Sequence, residues 1–319
     1  MIVAILLLIV VAQFAFLIFT SVRSNLKTDY LFNIVHNLRY RDEDRVGRDP
    51  CGTAGDAHYV ASVTTTKSRL HIVDRSIRSM LDQSAPPRGV YLYVSDQIVS
   101  NEIPARLRAL EERGLAIRLV EDVGPHTKLI HALKDHGEGN IITFDDDMIY
   151  PANAAACLLR YAGRFPGCVV ANWARRLRFT FGRVRPVRRG RLLTPPRMEW
   201  SIEQKAHVPT PTMCTFAYGT SGVLYPPGAL HPKVFDRDLM HELCPTEDDI
   251  WFKAMSILAG TRTVETNLGI NPRHFCVTGS QISALSHTNH GERRNEPQLR
   301  AVFKAFDLYR LIRRDESRG

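Results

Sequence analysis

The chain has 319 residues, of which 42 are Lys or Arg and 33 are Asp or Glu, giving a formal charge of +9. With 44% hydrophobic residues, 24% charged residues and a mean hydropathy of −0.17, it is not a disordered chain, a collagen, a coiled-coil rod or a polytopic membrane protein. This length can bury the core of one large α/β domain or two small ones. The positive balance points to an anionic partner: nucleic acid, a lipid surface or a phosphorylated substrate.

Residues 1–22, MIVAILLLIVVAQFAFLIFTSV, carry no charge. As a helix rising about 1.5 Å per residue they reach about 33 Å, enough to cross a bilayer with a little tilt. A cleaved signal peptide would want a basic start and a small-x-small cleavage site, and neither is present, so the segment reads as an uncleaved transmembrane anchor. Arg23, Lys27, Arg39 and Arg41 follow it. The positive-inside rule then puts the bulk of the chain on the cytoplasmic face of the cell inner membrane, as a single-pass protein. Residues 23–56 are charged and rich in turn formers, and read as a linker. The cysteines (Cys51, Cys157, Cys168, Cys214, Cys244, Cys276) form no C-x-x-C pair, which suggests reduced, largely buried thiols in place of zinc sites or a disulfide framework.

A globular pattern covers residues 57–298. YVASVTTT is a strand, RLHIVDRSIRSMLDQ has helical apolar spacing, and GVYLYVS is a second strand. IPARLRALEERG reads as an amphipathic helix closed by Gly114, LAIRLVE as a third strand, HTKLIHALKDHG as a helix and NIITF as a wholly apolar fourth strand. This alternation predicts an α/β domain whose mostly parallel, Rossmann-like sheet has helices on both faces, with ligands at the carboxyl ends of the strands. The second half is less regular. CVVANWARRLRFTFGRVRPVRRGRLL suggests strands or a hairpin, CTFAYGTSGVLYPPGAL a Gly-rich loop, and TEDDIWFKAMSILAGT a helix capped by Thr246. Residues 299–319 read as an amphipathic helix with a polar tail.

Asp145-Asp146-Asp147 directly follows the apolar strand. Adjacent carboxylates at a buried strand end repel one another, and a divalent cation would relieve that cost. If the segment is extended, Asp145 and Asp147 share a face and can address one Mg2+ or Mn2+. A solvated acidic turn is the simpler account, though it would not need the buried strand before it. Glu247-Asp248-Asp249 opens a helix. Helix-dipole stabilisation explains part of it, and a general base kept ionised explains the rest. Thr64 to Arg69 ends the first strand with hydroxyls and cations that could meet a nucleotide, or simply turn the chain. Lys128 opens a helix and could reach a phosphate. Gly219 and Gly222 permit close backbone approach. His287 and His290 are solvated loop residues or late metal ligands.

Together these residues resemble nucleotide-sugar glycosyltransferases of the GT-A fold, and are similar to the bacterial family 2-like enzymes of capsule and exopolysaccharide synthesis. The resemblance runs from about Val60 to Leu299 through ASVTTTKSRL, Asp122 to Leu129, ITFDDDMIYP, TSGVLYPPG and PTEDDIWFKAM. It implies metal-dependent, inverting transfer of a sugar, of the hexosyltransferase type, from a nucleoside-diphosphate sugar to a glycan or lipid-linked acceptor in cell-surface polysaccharide synthesis. On that basis Asp147, with Asp145, would hold Mn2+ or Mg2+. Thr64, Thr65, Arg69, Lys128, Asp145 and Asp146 would border the nucleotide sugar. Asp249, with Asp248 beside it, would be the base, and Gly219, Gly222 and Trp200 would lie on the acceptor side. The late Q-x-x-R-W motif of processive synthases is absent, which favours addition of single sugars.

A rival reading is a membrane-tethered binder of anionic lipid or nucleic acid on a decayed enzyme fold, but two intact acidic clusters speak against it. A nucleotidyltransferase would want a Gly-rich loop after the first strand, where TTTKSR has none. The whole charge excess resides in Arg175 to Arg197, which holds nine arginines and no acid. This patch suits anionic headgroups or a lipid-diphosphate acceptor at the membrane better than it suits nucleic acid, and a solvated basic hairpin is the bland alternative.

Overall fold

The computed structural model describes Gln13 and residues 58–180, 197–201, 210–266, 268, 275–277 and 295–316. The anchor and linker read over residues 1–56 lie outside the described residues apart from Gln13, as do most of the basic patch and both His287 and His290. Among the described residues no helix is long and apolar enough to cross a membrane.

Strands β1 (Tyr59–Thr65), β2 (Val90–Ser95), β3 (Leu115–Val120) and β4 (Asn140–Thr143) alternate with helices Val73–Leu81, Ala105–Arg108 and Thr127–His136. After helix Ala154–Arg164 come β5 (Val169–Ala171), β6 (Ala174–Thr180), β7 (Arg197–Ser201), β8 (Thr215–Ala217) and β9 (Val223–Tyr225). Helices Arg237–Leu243 and Asp248–Leu258, β10 (Thr263–Glu265) and helices Asn295–Ala305 and Leu308–Glu316 complete the order. Seven strands form one sheet in the order β10-β5-β9-β4-β1-β2-β3, and β7-β6-β8 form a second. β1 runs parallel to β2 and β4, β2 to β3, and β5 to β10. Only β9 is reversed, antiparallel to β4 and β5.

Period-2 alternation sends the two faces of the large sheet into two cores. Val90, Leu92 and Val94 pack with Val73, Ile77 and Met80 on one side. Tyr93 packs on the other side, in a core shared with Leu129, Ile130 and Trp251. Leu299, Val302, Phe303, Leu308 and Ile312 are buried in that second core, so the C-terminal helices cover the Asp248–Leu258 helix. Each such large apolar side chain contributes about 1.5–3 kcal/mol on burial.

Three expectations change. The segment 104–113 is a four-residue helical turn followed by a 3-10 turn (Glu111–Arg113), ending at Gly114 with φ +104°, which an L side chain would strain. The supposed loop CTFAYGTSGVLYPPGAL holds two strands, one of them central in the sheet. Val223-Leu224-Tyr225 is too short to show a period. Thr246 does not cap its helix. The N-cap is Glu247, and the Thr246 hydroxyl instead accepts from Gln298 Nε2 at 2.8 Å, because the C-terminal helix packs there. The cysteines Cys157, Cys168, Cys214, Cys244 and Cys276 are free thiols.

Candidate active site

The carboxyl ends of β1 and β4 meet the start of the Asp248–Leu258 helix, and the site forms at this junction. Phe144 N–H donates to Ser62 C=O at 2.9 Å, after which the chain leaves the sheet. Asp145 N–H donates to the Tyr150 hydroxyl at 2.7 Å, and the Ser76 hydroxyl donates to Asp145 C=O at 2.7 Å. Val277 N–H donates to Asp147 C=O at 2.7 Å. Asp146 and Asp147 therefore sit in a turn, not in the extended segment expected, and the backbone contacts that satisfy its polar groups set their directions separately.

Asp146 is buried. Its carboxylate accepts from Thr65 Oγ1 at 2.6 Å and from Arg69 Nη1 at 2.7 Å. Arg69 Nη2 also lies 3.4 Å from Asp147 Oδ2. Burial pushes the Asp147 carboxyl up to about 7, with the charges of Asp145 and Asp146 adding to the rise and Arg69 and Lys128 opposing it.

Lys128 is 6% exposed and joins the two acidic clusters. Its Nζ donates to Asp145 Oδ1 at 2.6 Å and lies 2.9 Å from Asp248 Oδ2. Burial works against its charge, but Asp145, Asp248 and Asp249 outweigh it, so its pKa stands well above the ordinary value. The Ser62 hydroxyl fixes the start of this helix by donating to Lys128 C=O.

Asp249 faces Gly219, whose N–H reaches both carboxylate oxygens, at 3.1 and 3.0 Å. Burial raises the Asp249 pKa well above the usual carboxylate range and Asp248 adds to the rise, while Lys128 and the Gly219 N–H oppose it. The approach is close: a Cβ on Gly219 would lie 3.0 Å from Asp249 Oδ1 and 3.1 Å from Lys128 Nζ. Gly222 has φ +91°, and a Cβ there would lie 3.1 Å from the Phe144 ring. The Tyr150 hydroxyl donates to Thr220 C=O at 3.0 Å, which ties this loop to the acidic turn.

The structure thus brings Thr65, Arg69, Lys128, Asp145, Asp146, Asp147, Gly219, Asp248 and Asp249 to one place, with Gly222 beside it against Phe144. Thr64 is turned elsewhere, its hydroxyl donating to Tyr93 C=O across the β1–β2 pair at 2.9 Å. Trp200 lies on β7 opposite Leu177, in the smaller sheet. Sequence reading missed Ser76 and Tyr150, which hold the acidic turn. It also missed His126, a buried imidazole against Phe252 whose pKa burial lowers while Asp248 opposes the shift. Tyr150 stands close after the triplet, but nothing in sequence says that its hydroxyl bridges two loops.

Five carboxylates (Asp145, Asp146, Asp147, Asp248, Asp249) surround two cations (Arg69, Lys128). This negative excess and the all-oxygen donor set fit a hard divalent cation at Asp147 and Asp145. Among the described residues no group of three or more His, Cys, Asp or Glu could hold a metal. An ion here would therefore complete its shell with water and substrate phosphate, as Mg2+ commonly does.

No protein-family model matches the chain, and no curated protein matches it. Solved structures do resemble it in shape. A mannosyltransferase, PcManGT from Pyrobaculum calidifontis in complex with GDP-Man and Mn2+, is 13% identical, with a TM-score of 0.41 over 88% of this chain and 78% of that one. S. aureus TarS 1–349 in complex with UDP is 14% identical, with a TM-score of 0.43 over 65% of this chain and 57% of that one. A 4-diphosphocytidyl-2C-methyl-D-erythritol synthase is 10% identical, with a TM-score of 0.39 over 73% of this chain and 99% of that one.

Proposed function

We propose that the chain is a GT-A glycosyltransferase that moves a sugar from a nucleoside-diphosphate sugar to a hydroxyl of a glycan or lipid-linked acceptor. In this reading it works at the cytoplasmic face of the inner membrane, held by residues 1–22, in cell-surface polysaccharide synthesis. One observation carries it. Asp145 and Asp248, remote in sequence, are held by a single buried amine at 2.6 and 2.9 Å, so a candidate cation-binding turn and a candidate base share one site at the strand ends.

The chemistry is a single displacement with inversion. Asp249 accepts the proton of the acceptor hydroxyl as that oxygen bonds to the sugar's anomeric carbon and the bond to the nucleoside diphosphate breaks. The raised pKa of Asp249 makes it a stronger base than a solvated carboxylate, and the Gly219 N–H fixes its orientation. Lys128 keeps Asp248 and Asp145 in place, and Arg69 with Thr65 keeps the turn from collapsing on itself. A divalent cation at Asp147 and Asp145 would neutralise charge on the departing diphosphate.

The test is thermal denaturation of the protein with UDP, GDP, CDP and ADP, with and without Mn2+. One nucleotide should raise Tm only with Mn2+, and Asp147→Ala should lose that shift while its own unfolding stays cooperative. An unchanged Mn2+-dependent shift in the variant refutes the metal role. No shift with any nucleotide would favour the anion-binding alternative.

A further inference from the structure

Arg69 and Lys128 are both engaged by carboxylates, but a third cation beside the site is not. Arg175 lies on β6 on the same strand face as Leu177, which is 1% exposed, whereas its neighbour Arg176 faces solvent. Half-buried, the Arg175 guanidinium stands 5.4 Å from the centre of the Tyr218 ring and against its hydroxyl. Its Nε–H is buried and meets no acceptor. Among the described residues no carboxylate pairs with it. Tyr218 precedes Gly219, the residue that holds Asp249, and lies in the field of Asp249 and Glu247. Its N–H donates to Trp173 C=O at 3.0 Å, so Arg175, Tyr218 and the candidate base are joined through short backbone links.

We infer that Arg175 recognises a phosphate or diphosphate on the acceptor, so that the molecule whose hydroxyl meets Asp249 is itself phosphorylated. The acceptor role rests on the glycosyltransferase reading, whereas phosphate recognition by Arg175 does not. A guanidinium offers five N–H donors in a planar fork, and Tyr218 engages it through its ring face and one hydrogen bond to its hydroxyl, leaving other donors for a ligand. A phosphate supplies what the remaining terminal donors of this half-buried guanidinium lack, in the paired geometry that Arg favours. The other two cations of the site are already engaged by its five carboxylates, so an anion gains most from contact at Arg175. Two sources share this chemistry: a soluble sugar phosphate and a lipid-linked diphosphate.

The experiment is calorimetric titration of the full chain, saturated with Mn2+ and the nucleotide that raises its Tm most. The probes are glucose 6-phosphate, geranylgeranyl diphosphate in micelles and uncharged methyl glucoside. At least one phosphorylated probe should bind and methyl glucoside should not. Arg175→Gln should weaken that binding by about tenfold or more, whereas the exposed Arg176→Gln changes it by less than about twofold. Arg175→Lys, which keeps the charge and loses the fork, should fall between, and near-native Tm values separate this from unfolding. Binding of glucose 6-phosphate assigns a soluble acceptor, and binding of the diphosphate alone assigns a lipid carrier. Equal affinity in Arg175→Gln, no binding of either phosphorylated probe, or equal binding of methyl glucoside overturns the inference. If no nucleotide raises Tm, the glycosyltransferase reading fails separately. The same titration without nucleotide then still reports on Arg175.

Discussion

Among the described residues two lysines are almost fully buried, one in each half of the chain, and their pKa values move in opposite directions. Lys128 lies between Asp145 and Asp248, and neighbouring carboxylates raise its pKa well above the ordinary value despite desolvation. Lys253 is on the helix that Asp248 opens. Its Nζ meets the Thr263 hydroxyl at 3.1 Å, and burial lowers its pKa to about 7, with weaker opposition from Cys214 and Asp315. The same ammonium is thus a fixed charge in one place and a group near its titration point in the other. The difference lies in the acids around it, because a buried cation keeps its charge only where anions and hydrogen bonds replace water. Only Lys128 sits where several chain segments bring acids together, which is why the candidate site is there and not around Lys253.

The strongest way to break this comparison is Lys128→Met. The variant leaves Asp145 and Asp248 without their cation, and loss of one partner from a buried pair costs about 3–5 kcal/mol. Sugar transfer should fall by about a hundredfold or more, since Asp249 loses the neighbour that fixes its surroundings. The pH profile identifies the cause. As the proposed base Asp249 would act ionised, so the rate should fall as pH drops through its pKa. Lys128 opposes the rise in that pKa, and its removal should therefore move the acid limb of kcat/KM to higher pH. An unmoved limb with a raised KM for the donor would instead make Lys128 a plain phosphate contact.

A smaller perturbation at the same place is Gly219→Ala. The added methyl would press on Asp249 Oδ1 at 3.0 Å and Lys128 Nζ at 3.1 Å. Both are ends of side chains, so they can yield by a few tenths of an ångström and the fold should stand. The proposed base is displaced as they yield, and kcat should fall by about tenfold to a hundredfold with donor KM little changed. Native kcat in a crystal-verified variant would show that the Gly219–Asp249 contact is incidental.

The first half of this site was readable from sequence because strand and helix periods are regular there and two strands lead into the residues that matter: Thr65 at the end of β1, Asp145 to Asp147 beyond β4. The acidic pair at Asp248 was visible as well, though its neighbours were not. β9 escaped notice because three apolar residues between Gly222 and Pro226 have no period, and its position depends on pairing with β4 and β5. Lys128 read as a cation free to meet a ligand, because no local pattern tells which distant carboxylates will enclose it. Arg175 was one of nine arginines in a basic run. Its inward direction comes from the strand it occupies, where it pairs with Phe216, and from Tyr218 just beyond the end of β8.

Lys253→Met tests the other side of the comparison and has the smallest expected effect, with the opposite sign. The wild-type amine has a folded pKa of about 7 against an ordinary value of 10.5. A depressed pKa means that the unfolded chain binds the proton more tightly, so stability is lost as pH falls from the ordinary value toward about 7 and levels off below it. Methionine is of similar length and has no charge to desolvate. At pH 7 the variant should gain on the order of 1–3 kcal/mol, reduced by the orphaned Thr263 hydroxyl. That corresponds to about 2–4 °C in Tm for each kcal/mol. The gain should shrink by pH 9.5, where the unfolded wild-type lysine is already losing its proton. Lys128, whose pKa is raised, contributes no slope in this window. A Tm difference between variant and wild type that is equal at pH 7 and pH 9.5 would mean that Lys253 is charged in the folded protein, and the two buried lysines would then be alike.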